Sequence, residues 1–324
     1  MCSIWGFVSD PDFKNREAII RLLCCLGSQR GTQSTGIALI ENGESRIIKD
    51  AIHPFTFAQT TINNGETNKA TTIIGHTRLA THGSVNQENS HPFHIGNTVG
   101  AHNGVVNNIY SLKQKLEPKF EVDSQYLIYL LDKQNNLGDA YGTMNVSYWK
   151  KDDKFDLRLI RCNYPLAVAY LEEQKAFIYT SLEEHLDIVL NTFNLQYQKL
   201  NIEDYHRFDV RKENGKVQAW TTDISKELDS FNKSYTNNNY YSSHNHRKYP
   251  VTVVHGSNCG YSGSNQLPYH YMADEEKAVI DDKMWDPFPK MDDYDIDELI
   301  NLEEDESVIV TAKHIRAGTP LLLG

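Results

Sequence analysis

Cys2 is the residue whose type and position could do chemistry most directly, because it becomes the first residue once the initiator methionine is removed. It would then carry a thiol and a free α-amine, with unperturbed pKa values of about 8.5 and about 7.7–8. Near neutral pH the amine can act as a base for the thiol, so one residue would supply a complete nucleophile–base pair. The alternative is a small apolar residue at the start of a strand, and the first two residues alone favour this alternative.

Four further segments combine small residues with side chains that could bind or activate a substrate. They are residues 30–36 (RGTQSTG), 75–83 (GHTRLATHG), 101–108 (AHNGVVNN) and 122–125 (VDSQ). An amino-acid substrate with a side-chain amide would need an oxyanion site, a cation for its carboxylate and an anion for its ammonium group. The four segments contain a candidate for each of these requirements.

Arg78 and the pair Asn103-Gly104 are the candidates that the residue types themselves indicate. The planar guanidinium of Arg78 suits bidentate binding of a carboxylate, although an arginine in a strand-like stretch could instead form a surface ion pair. Asn103 offers an amide donor and Gly104 an unobstructed backbone N–H, and together they could form an oxyanion hole. Asn-Gly is also a favoured dipeptide of hairpin turns, so a plain turn is the alternative interpretation.

Taken in order with residues 2–7 (CSIWGF), these blocks resemble the class II glutamine amidotransferases across residues 2–222. The resemblance implies an N-terminal-nucleophile enzyme in which Cys2 attacks the side-chain amide of L-glutamine and forms a thioester, without a cofactor or a metal. Three positions depart from the family pattern: Ser3 replaces a common glycine, Leu79 a tryptophan and Gln125 an acidic residue. Leu79 bears on specificity for glutamine, whereas none of the three changes removes a chemical role.

The resemblance also implies roles for residues whose chemistry alone is ambiguous. It assigns Asp123 to the substrate ammonium group, Thr81 and His82 to the substrate pocket, and Arg30 to support of the segment that carries Cys2. Asp123 also stands before an apolar stretch, where it could act as a helix N-cap. The binding role and the N-cap role are compatible with each other.

Alternating periodicities predict the elements that must position these residues. Strands are predicted at residues 3–8, 35–40, 45–52, 71–77, 98–101, 143–149, 155–161, 166–171 and 176–180, and helices at 16–27, about 107–116, 123–134 and 182–190. Hairpins are predicted at Asn42-Gly43 and Asn214-Gly215. The strands at 71–77 and 98–101 would lead into two catalytic loops. With the resemblance, the pattern implies an α+β fold, a four-layer αββα N-terminal-nucleophile sandwich with two antiparallel sheets.

Charge and cysteine content restrict the classes of function. Residues 274–307 contain 15 Asp and Glu against 3 Lys, a net charge of −12, so the rest of a chain with net charge −11 is nearly neutral. Nucleic acid is therefore not an expected partner, and no apolar run has the length of a membrane span. Five cysteines, an odd number without paired metal-ligand spacing, indicate a reducing compartment, so we expect a cytoplasmic protein without a signal peptide.

Composition divides the chain into three predicted parts. These are an amidotransferase domain at residues 2–227, a linker rich in Asn, Ser, Tyr and Gly at 228–273, and an acidic tail at 274–324. The residues after 222 are too few and too polar for a synthetase domain, and they contain no phosphate-binding glycine loop. The first hypothesis is therefore a stand-alone glutaminase subunit that passes ammonia to a separate synthetase. The alternatives are a hydrolase of substituted γ-glutamyl amides and a non-catalytic binding scaffold.

Overall fold

The computed structural model describes residues 2–11, 13–62, 67–213 and 216–228. The predicted linker at 228–273 and acidic tail at 274–324 lie outside these residues, apart from Leu228. The structural description therefore concerns the predicted amidotransferase domain. Within it, strands and helices are distributed over two antiparallel sheets and two helical layers.

The first sheet contains seven strands. They are β1 (Ser3–Val8), β2 (Ser34–Glu41), β3 (Glu44–Asp50), β4 (Thr72–Arg78), β9 (Ala167–Leu171), β10 (Ala176–Thr180) and β11 (Tyr197–Leu200). They pair in the order β11-β9-β10-β1-β4-β2-β3, and every neighbouring pair is antiparallel. Strand β1 is central and buried along its whole length, so Cys2, which directly precedes it, lies at the end of a strand held on both sides.

The second sheet contains six strands. They are β5 (Phe93–Ile95), β6 (Thr98–Val106), β7 (Gly142–Lys150), β8 (Leu157–Arg161), β12 (His206–Glu213) and β13 (Lys216–Asp223). They pair in the order β13-β12-β8-β7-β6-β5, again with every neighbouring pair antiparallel. Strands β6 and β7 lie inside this sheet, which places Asn103 and Gly104 on a strand with a partner on each side over part of its length.

Helices cover the outer face of each sheet. They are α1 (Arg16–Gly27), α2 (Pro54–Thr60), α3 (Ile109–Lys115), α4 (Asp123–Lys133), α5 (Glu183–Thr192) and α6 (Ser225–Leu228). Helices α1, α2 and α5 share an apolar core with the first sheet, and α3, α4 and α6 share another with the second. None of the helices in the described ranges is both long enough and apolar enough to cross a membrane.

A third apolar core fills the space between the two sheets. Side chains alternate along each strand, so β1 supplies Ile4 and Val8 to this central core and Trp5 and Phe7 to the core beneath the helices. Burial of apolar surface on both faces holds the sheets and helices together. The order of layers is helix, sheet, sheet, helix, and the predicted α+β sandwich with two antiparallel sheets is confirmed.

Most predicted elements are confirmed, and β1 and α1 have the predicted bounds. The hairpin at Asn42-Gly43 is also confirmed, because β2 and β3 pair on either side of it and both of its residues have positive φ. The other predicted turn, Asn214-Gly215, lies outside the described residues, but β12 and β13 on either side of it do pair. Helix α2 and the strands β5 and β11 were not expected; they are short, with seven, three and four residues.

Strand β6 corrects the sequence prediction near the candidate oxyanion residues. The predicted strand at 98–101 continues to Val106, so Asn103 and Gly104 lie within the strand and form neither a loop nor a hairpin turn. Every residue of β6 has a partner in β7, and these pairings outweigh the local turn preference of Asn-Gly. The result is that the Asn103 side chain is held on a rigid element.

Candidate active site

Cys2 is held at the end of β1 by contacts with two other segments. Its Sγ atom lies 3.3 Å from the carbonyl oxygen of Leu79, to which it donates, and 3.4 Å from the Leu79 backbone nitrogen. The Arg30 Nε donates a hydrogen bond of 2.7 Å to the Cys2 carbonyl, and the Arg30 guanidinium lies 5.5 Å from the centre of the Tyr164 ring. The structure thus places Arg30 directly against the segment that carries Cys2.

The surroundings of Cys2 act on the pKa of its thiol in opposite directions. Burial raises this pKa above its usual value, while the Leu79 backbone hydrogen bond and the positive charge of Arg78 lower it. The negative charge of Asp123 raises the pKa further. A thiol with a raised pKa is protonated at neutral pH, so nucleophilic attack requires a base that takes its proton.

Asn103 points from β6 into the space between the sheets, where it meets a residue that we had not assigned. Its Nδ2 donates a hydrogen bond of 2.9 Å to Ser181 Oγ. The same Ser181 oxygen accepts a bond of 2.9 Å from the backbone nitrogen of Ile4, two residues after Cys2. Ser181 directly follows β10, and the sequence analysis did not predict it as a site residue.

Gly104 has a backbone conformation that requires glycine. Its φ is +153°, and a Cβ at this position would overlap the carbonyl oxygen of Thr143 on the adjacent strand. The absence of a side chain lets β6 and β7 approach closely beside the Asn103 amide. Asn103 and Gly104 therefore present an amide and a backbone N–H from consecutive positions of one strand.

Arg78 is the last residue of β4 and is 2% exposed. Its Nη1 donates to the Ser84 carbonyl at 3.0 Å and its Nη2 to the His82 carbonyl at 2.6 Å. A weaker contact of 3.4 Å reaches the Gly83 carbonyl. The alternative of a surface ion pair is wrong, since the guanidinium is buried and held by backbone carbonyls. At most three of its five N–H groups are used in this way.

Asp123 is buried at the first position of α4, and Val122 is the N-cap residue. The Asp123 Oδ2 accepts a hydrogen bond from the backbone nitrogen of Val106 at 3.0 Å, and the Asp123 Oδ1 accepts one from the backbone nitrogen of Ser124 at 2.9 Å. The N-cap interpretation of Asp123 is therefore off by one residue, because the helix begins at the aspartate itself. These two N–H donors hold the Asp123 carboxyl group in a fixed orientation at the start of α4.

His82 and Thr81 lie in the segment that follows Arg78. His82 Nδ1 is 3.6 Å from Asp123 Oδ2, which brings the predicted pocket residue next to the predicted ammonium-binding carboxylate. Thr81 is exposed. The segment is tied to the rest of the domain through Ser84, whose backbone nitrogen and hydroxyl both donate to Glu121 Oε1 at 2.8 Å.

Three buried histidines, His76, His91 and His102, lie behind these residues. His76 and His102 were named only as parts of the motifs, and His91 was not predicted as a site residue. His76 Nε2 is 3.1 Å from the His102 carbonyl, directly before Asn103, and the His76 ring stacks on that of His91 with ring centres 3.9 Å apart. His102 contacts Ser124 Oγ at 2.8 Å and the Thr143 carbonyl at 3.1 Å. A carbonyl can only accept, so Nε2 of both His76 and His102 carries a proton. Burial lowers the pKa of all three histidines and keeps them neutral.

The buried histidines of the domain, which include His185 in α5, should make it less stable in mild acid. Burial lowers the pKa of His76 to about 3 and that of His185 to about 4, while the unfolded chain protonates at about 6.5. The stability that each neutral histidine contributes is fully present above pH 6.5 and decreases below it, because only the unfolded chain then takes up protons. Each histidine should lower the free energy of unfolding by up to about 1.4 kcal/mol per pH unit.

Urea denaturation at pH 7, 6 and 5 would measure this slope. His76→Gln keeps a donor for the His102 carbonyl and should make the slope shallower than in the wild type. His94 is exposed, so His94→Gln is the matched control and should keep the wild-type slope. An unchanged slope in His76→Gln would contradict the prediction.

Part of the chain is similar in sequence to known proteins. Residues 13–143 match the family model of class-II glutamine amidotransferases. The glutamine–fructose-6-phosphate aminotransferase (isomerizing) of Mycolicibacterium smegmatis is 31% identical over 159 residues, and that of Aquifex aeolicus is 34% identical over 179. These alignments cover 45% and 51% of this chain but only 25% and 28% of the two relatives.

Two solved structures share the fold. One is the glutamine phosphoribosylpyrophosphate amidotransferase of B. subtilis, with a TM-score of 0.50, and the other an allosteric regulatory enzyme of purine biosynthesis, with a TM-score of 0.52. Each is 19% identical and covers 67% of this chain and 48% of its own. The sandwich and the family match support an N-terminal-nucleophile type of amidotransferase domain. The matched residues 13–143 are those of a class II glutamine amidotransferase domain, a domain of a family of enzymes.

Proposed function

We propose that this chain hydrolyses the side-chain amide of L-glutamine to glutamate and ammonia, with Cys2 as the nucleophile after removal of Met1. The observation that carries the proposal is the meeting of a thiol, a buried cation and a buried carboxylate at one end of the sandwich. Leu79, next to Arg78, contacts the Cys2 thiol. The His82 carbonyl accepts from the Arg78 guanidinium, while the His82 ring lies 3.6 Å from the Asp123 carboxylate. Hydrolysis of the side-chain amide of an amino acid uses a nucleophile for the amide, a cation for the substrate carboxylate and an anion for the substrate ammonium group.

The reaction proceeds in two steps that share one covalent intermediate. Cys2 Sγ attacks the carbonyl carbon of the amide while its proton passes to the α-amine of Cys2 through a water molecule. The Asn103 Nδ2 and the Gly104 N–H stabilise the oxyanion of the tetrahedral intermediate. Ammonia leaves with the transferred proton, and a γ-glutamyl thioester remains on Cys2. Water then hydrolyses the thioester, which releases glutamate and restores the thiol, and no cofactor takes part.

Arg78 and Asp123 bind the amino-acid end of the substrate in this proposal. The carbonyls of His82 and Ser84 fix the Arg78 guanidinium and leave N–H groups for a carboxylate. Asp123 accepts two backbone N–H groups and has further lone pairs for an ammonium group. His82 beside Asp123 and the neighbouring Thr81 close the pocket, and Arg30 holds the carbonyl of Cys2.

A second candidate function keeps the chemistry and changes the leaving group. Leu79 stands where the family usually has a tryptophan, and its backbone contacts the Cys2 thiol directly. A smaller side chain at this position leaves more room for a substituted amide. The chain would then hydrolyse γ-glutamyl conjugates and release an amine instead of ammonia.

One assay separates these functions. Protein whose intact mass shows removal of Met1 is incubated with L-glutamine or a γ-glutamyl anilide, and glutamate, ammonia and aniline are measured. Preference for glutamine supports the first function, and preference for the anilide supports the second. Failure of the trimmed protein to hydrolyse either compound would contradict both and favour a non-catalytic scaffold.

We also propose that the ammonia passes to a separate synthetase in the cytoplasm. The support is the composition after residue 228: residues 274–307 carry a net charge of −12 beside a nearly neutral domain. An acidic segment of this kind attracts a basic partner surface, and the attraction weakens with salt over a Debye length of about 8–10 Å. The odd number of cysteines, without paired metal-ligand spacing, and the proposed catalytic thiol favour a reducing compartment.

Deletion of residues 274–324 tests the partner proposal. The truncated protein should hydrolyse glutamine at the wild-type rate, because every proposed catalytic residue precedes residue 124. It should no longer co-purify with the ammonia-accepting synthetase. A control in which the acidic residues of 274–307 are changed to Asn and Gln should lose the partner in the same way. Unfolding of the truncated protein would show that the segment belongs to the domain and would contradict the proposal.

A further inference from the structure

We propose that Ser181 is a positioning residue for the oxyanion site, because it fixes which end of the Asn103 amide faces the reaction. This inference rests on the proposed function of Asn103. Ser181 follows β10 and is fully buried. It directly follows a strand of the first sheet, whereas Asn103 lies on β6 in the second sheet, so their hydrogen bond joins the two halves of the sandwich.

The hydroxyl of Ser181 makes three hydrogen bonds, and their partners determine the direction of each. It accepts from the backbone nitrogen of Ile4 at 2.9 Å and lies 3.3 Å from the carbonyl oxygen of the same residue. A hydroxyl has one donor and two acceptor positions. The Ile4 N–H fills one acceptor position, and the Ile4 carbonyl can only take the hydroxyl proton. The position that remains on the Ser181 hydroxyl is its second acceptor position, and only a hydrogen-bond donor can fill it.

Asn103 therefore has to present its NH₂ group, and not its oxygen, to Ser181. The observed contact of 2.9 Å involves Nδ2. One N–H of this group binds Ser181, and the second N–H stays available for an oxyanion. In the opposite orientation the carbonyl oxygen of the amide would face the developing negative charge and repel it. Ser181 thus selects the catalytically useful orientation of a side chain that could otherwise rotate by 180°.

Ser181 also couples the oxyanion donor to the nucleophile. Ile4, which it binds through both backbone groups, is two residues from Cys2 on the same continuous segment. A backbone bond of 2.9 Å from the Ser181 nitrogen to the Ile4 carbonyl fixes the serine against β1. A single serine side chain therefore joins the strand that follows Cys2 to the Asn103 amide.

The first test is Ser181→Ala in the full-length, Met-trimmed protein. Loss of a single oxyanion donor typically lowers kcat by about 10²–10³-fold; misorientation of the donor should lower kcat by at least roughly tenfold, with KM for glutamine little changed. Ser181→Thr keeps the hydroxyl and should recover much of the rate. Wild-type kcat in Ser181→Ala would overturn the inference.

Two controls separate positioning from a purely structural role. Ser9 is a fully buried serine just beyond the other end of β1, and its hydroxyl accepts from Arg16 Nη1 at 2.6 Å. Ser9→Ala should lower the melting temperature without changing kcat. In an Asn103→Ala background, Ser181→Ala should cause no further loss of kcat, because the group that it positions is gone. A full additional loss would overturn the inference.

A measurement without turnover distinguishes failure of this inference from failure of the proposed function. In protein labelled with ¹⁵N-asparagine, the side-chain amide of Asn103 is identified by its loss in Asn103→Ala. Its protons should exchange slowly in the wild type and faster in Ser181→Ala. Faster exchange in a protein that does not hydrolyse glutamine would support the positioning while contradicting the proposed function. Identical exchange in both proteins would overturn the positioning.

Discussion

Replacement of Cys2 by alanine should abolish glutamine hydrolysis, with a fall in kcat of roughly four to six orders of magnitude, the range seen when a member of a catalytic nucleophile–base unit is removed. Both proposed steps pass through a thioester on this sulfur, so without it only a small background from the oxyanion site and substrate binding remains. The rate of glutamate release from L-glutamine measures the effect. Undiminished turnover would contradict the assignment of Cys2.

Two variants show whether the effect belongs to the N-terminal thiol. Cys25 is buried in α1, and burial raises the pKa of its thiol to about 12, so Cys25→Ala should leave the rate unchanged. Insertion of one large residue before Cys2 prevents removal of Met1 and keeps the thiol while moving the α-amine away. This variant should be nearly as inactive as Cys2→Ala. Activity comparable to the wild type would show that a different group accepts the thiol proton.

Local periodicity was sufficient to predict the bounds of elements whose apolar residues are continuous or recur at helical spacing. Helix α1 has an apolar face that recurs at helical spacing, and β1 is apolar throughout, so both bounds could be predicted. The bounds of β6 could not be predicted, because the extent of this strand depends on pairing with β7. For most of the pairs, the two residues are more than forty positions apart in the sequence. Asn103-Gly104 has a local preference for a turn, and only the neighbouring strand keeps it extended.

The candidate site shows the same limit at the level of single contacts. The residue types together with the family resemblance were enough to name Cys2, Arg78 and Asp123 as candidates. The groups that orient them come from distant segments: Arg30 and Cys2 are 28 positions apart, and Asn103 and Ser181 are 78 positions apart. A serine hydroxyl has no chemical signature that marks it as a partner of an amide. Such contacts follow from the packing of the two sheets and are visible only in the fold.

Replacement of Asn103 by alanine should lower kcat by about 10²–10³-fold, the usual effect of removing one oxyanion donor. KM for glutamine should change little, because this donor binds the negative charge of the tetrahedral intermediate more strongly than the neutral amide of the substrate. Asn103→Asp keeps the size of the side chain and should be at least as inactive. An ionised carboxylate has no N–H to donate and repels an oxyanion.

Asn145 is the matched control, since it lies directly opposite Asn103 on β7 and is also fully buried. Its side chain donates to the Pro165 carbonyl at 2.7 Å and accepts from the Cys162 nitrogen at 3.2 Å. Asn145→Ala should lower the free energy of unfolding by about 1–3 kcal/mol and leave kcat unchanged. If Asn103→Ala instead raised KM at constant kcat, the amide would bind the substrate before reaction, and the oxyanion role would be wrong.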